Sequence, residues 1–247
     1  MHIIVTNDDG IFAPGIICLA EALSKIAKVT VIAPDQNKSG VSSAISLETP
    51  LRVFEKAPGW FQVNGTPADC IKLALSGFIS EEPTMVVSGI NSSANLGDDV
   101  IYSGTVGGAI EGRFLGLPSI AVSCVGKSNY HFETAAHVVV ELVKRLHHKP
   151  LESGLILNVN VPNVPLIELK GIQVTRQGER EFAEPLKPTQ DGHGRQIYWL
   201  GGVGRSKDDV EGTDFHAVLN GYAAVTPMQI DMTAHRKITM VQKWLTD

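Results

Sequence analysis

The 247-residue sequence predicts an α/β protein: a mostly parallel sheet flanked by helices, with a β-rich extension following it. Three observations predict this class. The chain opens on a strand–helix–strand unit, and the same alternation continues to about residue 165. From about 166 to 247, Gly- and Asp-rich loops separate short strand-like runs. No internal repeat or low-complexity linker divides the chain, so it reads as one domain with an arm.

The elements follow in order. "HIIVT" (2–6) is an apolar run short enough for a buried strand. Residues 14–27 place Ile16, Leu19, Ala20, Leu23 and Ile26 at helical spacing behind Pro14, a residue suited to a helix start. "VTVIAP" (29–34) is a second strand ended by proline, and the unit implies a parallel pair with a right-handed crossover. An irregular stretch over 45–65 with short strands comes next, then a helix over 67–79 and a strand over 84–91. A Gly-rich helix start within 103–116, a strand over 118–125, a helix over 131–149 and a core strand over 155–162 complete the first part. Beyond it, 170–178, 195–202 and 213–231 read as strands of an antiparallel extension, with a short amphipathic segment near 237–245.

Composition excludes several classes of function. Hydrophobic residues at 43% and charged residues at 19% are ordinary for a globular protein. A formal net charge of −5 gives no basic footprint for nucleic acid. No apolar run approaches the roughly 20 residues that cross a bilayer, so no membrane partner is expected. Cys18, Cys70 and Cys124 are too scattered for a disulfide framework or a zinc site, and the expected setting is a reducing cytoplasm.

The chemistry begins at "TNDDG" (6–10), where two mutually repelling carboxylates, Asp8 and Asp9, end the first apolar strand. Asp-Gly is a strong turn signal, so a tight turn explains the segment in part. A cation explains it better. In an open parallel sheet, ligands bind beyond the carboxyl ends of the strands. The loops after the first, second and third core strands hold Asp8 and Asp9, then Ser39, then Asn91. Two carboxylates with a hydroxyl and an amide oxygen suit a hard divalent ion, whose charge relieves the repulsion. Two further pairs, Asp98-Asp99 and Asp208-Asp209, read as solvated turns.

"YSGTVGGAIEG" (102–112) sets Ser103, Gly104 and Thr105 before a helix, where free N–H groups and the dipole favour an anion. Taken alone, an ordinary helix cap accounts for it equally well. "VGKS" (125–128) ends like a P-loop, but Ala121 stands where the first glycine belongs. No HExxH or GxSxG pattern is present.

Together "TNDDG" with Ala13-Pro14-Gly15, Ser39-Gly40, "GTPADC" (65–70), "SGIN" (88–91), "NLGDDVIYSGT" (95–105) and "GTDFHA" (212–217) resemble the SurE family, the stationary-phase survival proteins, over residues 2 to about 235. The resemblance implies a Rossmann-like core, an arm exchanged between subunits in a homodimer or homotetramer, and metal-dependent hydrolysis of nucleoside 5'-monophosphates. By matching motif, Asp8, Asp9, Ser39 and Asn91 would hold one divalent cation, magnesium or manganese. Asn95, Ser103, Gly104 and Thr105 would meet the phosphate, with Asp8, Asp9, Asn95 and Ser103 in catalytic roles. Ser93 stands where the family pattern has glycine. Rivals fit less well: a magnesium-binding receiver domain needs an acceptor aspartate where this chain has "VVSGIN" (86–91), and a D-x-D phosphatase needs a spacing that Asn7-Asp8-Asp9 lacks. Other small phosphoesters or short polyphosphate remain alternative substrates.

Overall fold

Ile3, Ile4 and Val5 form the middle of β1 (His2–Thr6), which runs buried on both faces through a nine-stranded sheet. A computed structural model describes residues 1–246. Pro14 opens α1 (Pro14–Leu23), which crosses over to β2 (Lys28–Pro34), parallel to β1. An edge hairpin, β3 (Val53–Ala57) and β4 (Trp60–Val63), follows, with β4 parallel to β2. Next come α2 (Pro67–Leu73), β5 (Met85–Asn91), α3 (Gly104–Glu111), β6 (Ser119–Val125), α4 (Phe132–His148) and β7 (Ile156–Pro162). The later elements are β8 (Ile172–Val174), β9 (Lys187–Gln190), β10 (Gln196–Trp199), α5 (Asp214–Leu219), β11 (Ala223–Met228) and α6 (Ile238–Thr246).

Strand order in the large sheet is β3-β4-β2-β1-β5-β6-β7-β11-β8, and β9 and β10 form a separate antiparallel ribbon. β11 runs antiparallel to β7, and β8 parallel to β11. Alternation along β1 feeds two cores. Ile3 and Val5 join Leu19 of α1 and Val139 of α4 on one face, while Ile4 joins Ile32 and Ile71 of α2 on the other. The chain leaves β1 toward β2 on one side, and its other neighbour is β5, so the strand order reverses between β1 and β5. The crevice at their carboxyl ends is the switch point where such sheets bind ligands.

Several expectations need correction. The helix expected over 67–79 stops at Leu73 and passes into a wider turn over Ala74–Phe78, broken by Gly77 at φ +100°. The strand expected over 213–231 begins as helix α5, because the Thr213 hydroxyl caps the His216 N–H and Phe215, Ala217 and Val218 turn inward. The extension is not wholly antiparallel: β8 and β11 lie parallel to each other within the main sheet. Asp99 is not in a solvated turn. The segment Gly97–Tyr102 winds as a short 3₁₀ helix, and the partly buried Asp99 side chain pairs with Arg180.

Candidate active site

Three loops and one helix start meet at the switch point. The Asp8 carbonyl accepts the Lys38 N–H (2.7 Å), which ties the loop after β2 to the end of β1. The Asn37 amide holds that loop's turn by accepting the Ser39 N–H (2.8 Å). On the β5 side, Ser92 donates its N–H to Asp9 Oδ2 (3.2 Å), and Asn37 approaches Asp9 Oδ1 from across the crevice (3.4 Å).

Two glycines permit this convergence. Gly89 sits at φ +140°, and a Cβ there would lie 2.3 Å from the Val122 carbonyl oxygen. The β5–β6 register shifts between Ser88 and Asn91, so Asn91 is re-aimed at the rim. Gly104, the first residue of α3, brings the helix start against Asp8: a Cβ there would lie 2.9 Å from Asp8 Cβ. The side-chain amide of Asn91 donates to the Ser93 carbonyl (2.9 Å), leaving its oxygen for a ligand.

Asp8 is buried, and among the described residues its side-chain partner is the Thr105 hydroxyl, which donates to Oδ1. Among the described residues no Lys, Arg or His pairs with Asp8 or Asp9. Burial pushes the Asp8 carboxyl up to about 6; Thr105 opposes the rise and the Asp9 charge adds to it. Burial raises Asp9 as well, against the two contacts from Ser92. A buried carboxylate without a cation is costly, and a bound ion removes that cost. Among the described residues no group of three or more His, Cys, Asp and Glu is placed to hold a metal. The donors here are two carboxylates with neutral oxygens, which fits a hard divalent ion rather than zinc or copper.

A cleft of about 200 Å³ gathers Asp8, Ser39, Asn91, Asn95 and Ser103, with Ser93 beside them. Asp9, Gly104 and Thr105 stand just outside that lining. Thr105 is fully buried behind Asp8, so its side chain does not face the phosphate position assigned by resemblance, and its backbone N–H is what remains for an anion. Ser103 caps α3 by accepting the Val106 N–H (3.1 Å), which leaves its own proton free. The first N–H groups of α3 need acceptors from outside the helix. Oxygens suited to a cation and N–H groups suited to an anion thus stand side by side. Ser93 is unstrained: among the described residues the non-glycine positions at positive φ are Ser42 and Asn129.

Residues that sequence reasoning missed hold these groups in place. Asn160 Oδ1 accepts the Asn95 N–H (2.9 Å), the Asn158 and Asn160 amides donate to its carbonyl (2.8 and 2.9 Å), and Asn95 Nδ2 donates to Ser123 (2.8 Å). The signal was the asparagine alternation in "LILNVNVP" (155–162), polar residues at every second place of an apolar strand. Asp214 accepts N–H groups from Gly97 (2.7 Å) and Gly178 (2.9 Å), which stitches the extension to the site loop.

Comparison with known proteins bears on the family and the fold. A sequence model of the family described as Survival protein SurE matches residues 3–184. A protein named 5'-nucleotidase SurE from Alkalilimnicola ehrlichii is 52% identical over 246 residues, covering 100% of this chain and 96% of that one. A protein of the same name from Methylococcus capsulatus is 51% identical over 245 residues, covering 99% and 98%. The crystal structure of the Sure protein from Aquifex aeolicus superimposes with a TM-score of 0.88 at 42% identity, covering 100% of both chains.

Proposed function

The chain belongs to the SurE family, and from that premise we propose that it is a 5'-nucleotidase, hydrolysing nucleoside 5'-monophosphates to nucleoside and inorganic phosphate. The observation that carries the reading is the buried, cation-less Asp8 packed against the start of α3. It sets a place for positive charge beside a place for phosphate. Asp8, Asp9, Ser39 and Asn91 would hold one divalent cation, magnesium or manganese. When bound, such an ion lowers the pKa of water and offsets charge on the transferring phosphoryl group.

The chain's own residues supply the rest. The Ser103 hydroxyl, the first amides of α3 and the second side-chain N–H of Asn95 are donors for the phosphoryl oxygens; preorganised donors of this kind each contribute on the order of 10²–10³ in rate. Thr105 acts through Asp8, fixing its orientation. Asp8 and Asp9 are the carboxylates at the rim that orient or deprotonate the attacking water while the bond to the nucleoside oxygen breaks. Steady-state hydrolysis of AMP, GMP and p-nitrophenyl phosphate, with and without added divalent ion, tests the proposal. Full activity in excess chelator would overturn the metal assignment, and no hydrolysis under any metal would overturn the activity.

The extension, 166–247, would serve association into a homodimer or homotetramer. Supporting this, Trp199, Leu200, Met232, Trp244 and Leu245 are all more than half exposed in the single chain, and no residue of α6 is buried. An apolar groove of about 530 Å³ lies between the site helix and the extension, lined by Val100, Ile110, Met228, Ile230 and Met232. A second copy is the occupant this reading assigns to it. Three unpaired cysteines accord with a cytoplasmic setting, and no helix among the described residues is long and apolar enough to cross a membrane.

A further inference from the structure

The motif "GTPADC" (65–70) lies outside the cleft, yet it carries a second buried aspartate. Asp69 is 3% exposed, and among the described residues no Lys, Arg or His pairs with it. Its partners are neutral donors. Oδ1 accepts the Ser46 N–H (2.8 Å), and Oδ2 accepts the Ser46 hydroxyl (2.7 Å) and the Thr66 N–H (3.0 Å). The bond from Thr66 is half of a capping box at the start of α2, completed where the Thr66 hydroxyl accepts the Asp69 N–H (3.1 Å). Capping asks no more of the side chain than that. The two bonds from Ser46 reach instead into the loop that follows β2, 23 residues away. Burial alone would raise the Asp69 carboxyl; the hydrogen bonds from Ser46 and Thr66 outweigh it and hold the group below the usual carboxylate range.

Residues 38–46 of that loop form a strap over the first turns of α3. Apolar packing does not hold it, since Ile45 is exposed and so is Leu47 just beyond. It is pinned at three places. At the cleft, the Lys38 N–H bonds to the Asp8 carbonyl, and Ser39 and Gly40 line the site. In the middle, Ser42 donates its N–H to the Tyr102 carbonyl (3.1 Å) and its hydroxyl to the Ile101 carbonyl (2.6 Å). Gly107 of α3 admits this contact, because a Cβ there would lie 2.5 Å from the Ser42 carbonyl oxygen. At the far end stand Asp69 and the Thr66 hydroxyl, which donates to the Ala44 carbonyl (2.6 Å). Turns from Val41 to Lys38 (3.3 Å) and from Ala44 to Val41 (3.2 Å) link the pins. Ser42 itself sits at φ +55°, a conformation that persists where the surroundings over-determine it. Resting on the metal-dependent reading above, we propose that Asp69 is a positioning residue of the catalytic cleft: through Ser46 it holds the strap down on α3, and so fixes Ser39 in the cleft. Released from Asp69, the strap relaxes at Ser42 and carries Ser39 away from the other oxygens.

The test compares the full-length protein with Asp69→Asn and with Ser46→Ala, which loosens the strap and leaves the α2 cap intact. If Asp69→Asn fails to fold, Ser46→Ala decides alone. The first readout is amide hydrogen exchange. Protection of the Lys38 and Ser42 amides should fall about fivefold in Ser46→Ala, the scale of one lost hydrogen bond, while Ile4 in β1 keeps its own. Unchanged protection at Lys38 and Ser42, or an equal fall at Ile4, overturns the proposal. The second readout needs no turnover: Mn²⁺ binding, followed by the paramagnetic signal of the free ion. Affinity should drop about tenfold in Asp69→Asn, as when a group supporting a metal ligand is lost. Ser46→Thr, which keeps the hydroxyl, should bind Mn²⁺ like the unsubstituted protein. A looser strap with unchanged Mn²⁺ affinity makes Asp69 merely structural and overturns the proposal. If the unsubstituted protein binds no Mn²⁺, the metal reading fails, and exchange at Lys38 and Ser42 alone decides whether Asp69 holds the strap at the cleft.

Discussion

The sheet core and the extension use apolar residues in opposite ways. β1, β5 and β7 are buried along their whole length, and each apolar side chain in them has an intrachain neighbour. β9, β10 and α6 bury nothing, although Ile197, Tyr198, Trp199, Trp244 and Leu245 sit in them. The sheet core, β11 included, closes on itself and carries the charged rim, while β9, β10 and α6 present apolar residues that the single chain leaves uncovered. β11 joins the extension to the core along β7, and two side-chain stitches tie it to the site loop: Asp214 to Gly97, with Gly178, and Arg180 to Asp99. Stability should therefore follow the core, assembly the extension, and substrate affinity the stitches between them.

The largest effect should come from the rim. Asp8→Asn removes one charge from the proposed cation site while keeping size and shape, and kcat on a nucleoside monophosphate should fall by about a hundredfold or more, since even outer-shell changes at metal sites cost 10–100-fold. The fold should not suffer. The folded-state pKa of Asp8 is raised to about 6, so its protonated form stabilises the metal-free protein at low pH, and that contribution is lost as pH rises through about 6. In chelator at pH 8, Asp8→Asn should melt no lower than the unsubstituted protein, and the difference should vanish near pH 4. A clear loss of melting temperature at pH 8 would show that Asp8 is structural.

Next is the extension. Trp199→Asp with Leu200→Asp places charges where the single chain buries nothing, so folding should persist while association weakens by about 30-fold or more, the scale of a hot-spot loss. Sedimentation at micromolar concentration measures it. An unchanged oligomer, or a monomer in the unsubstituted protein, would remove the ribbon from the interface.

The stitches come third. Asp214→Asn exchanges one acceptor oxygen for a donor facing an N–H, and leaving a buried donor unsatisfied costs about 1–3 kcal/mol. Denaturant unfolding should show that loss. KM on AMP should rise more than kcat falls, because Gly97 leads into the 98–102 segment beside the cleft and Gly178 into Arg180, and neither lines the cleft itself. A fall confined to kcat would place the stitch in the chemistry.

The same division governs what was legible in the sequence. β1, β2, β5 and β7 could be read because parallel strands buried on both faces are continuous apolar runs, bounded here by Pro and Gly. The convergence of Asp8, Ser39 and Asn91 followed, since strand ends in a parallel sheet share one rim. The partner of Asp99 did not follow: Arg180 lies 81 residues away, and no local pattern joins them. Helix α5 was hidden for a different reason. Its six residues are too few for periodicity to outweigh the β-prone residues around them, and the Thr213 cap was the available signal. The role of Thr105 depended on side-chain direction, which spacing alone does not give.

The smallest effect expected is at Ser93, on the core side of the comparison, where this chain departs from the family pattern. A glycine at such a place serves either a positive φ or a close approach of backbone to ligand. Ser93 is not at positive φ, so no strain awaits relief, and its contribution to the site is the carbonyl that accepts from Asn91. That contribution is unchanged by losing the side chain. The hydroxyl lines the cleft but takes no hydrogen bond among the described residues. Ser93→Gly should keep kcat/KM on a nucleoside monophosphate within a few-fold and leave the metal requirement as it is. Stability should fall by about 0.4–1 kcal/mol, because glycine gives the unfolded chain more freedom to lose. A hundredfold loss of kcat/KM in a folded variant would make the hydroxyl part of the chemistry. A gain in stability would mean that the serine side chain is crowded after all, and that the loop was shaped for glycine.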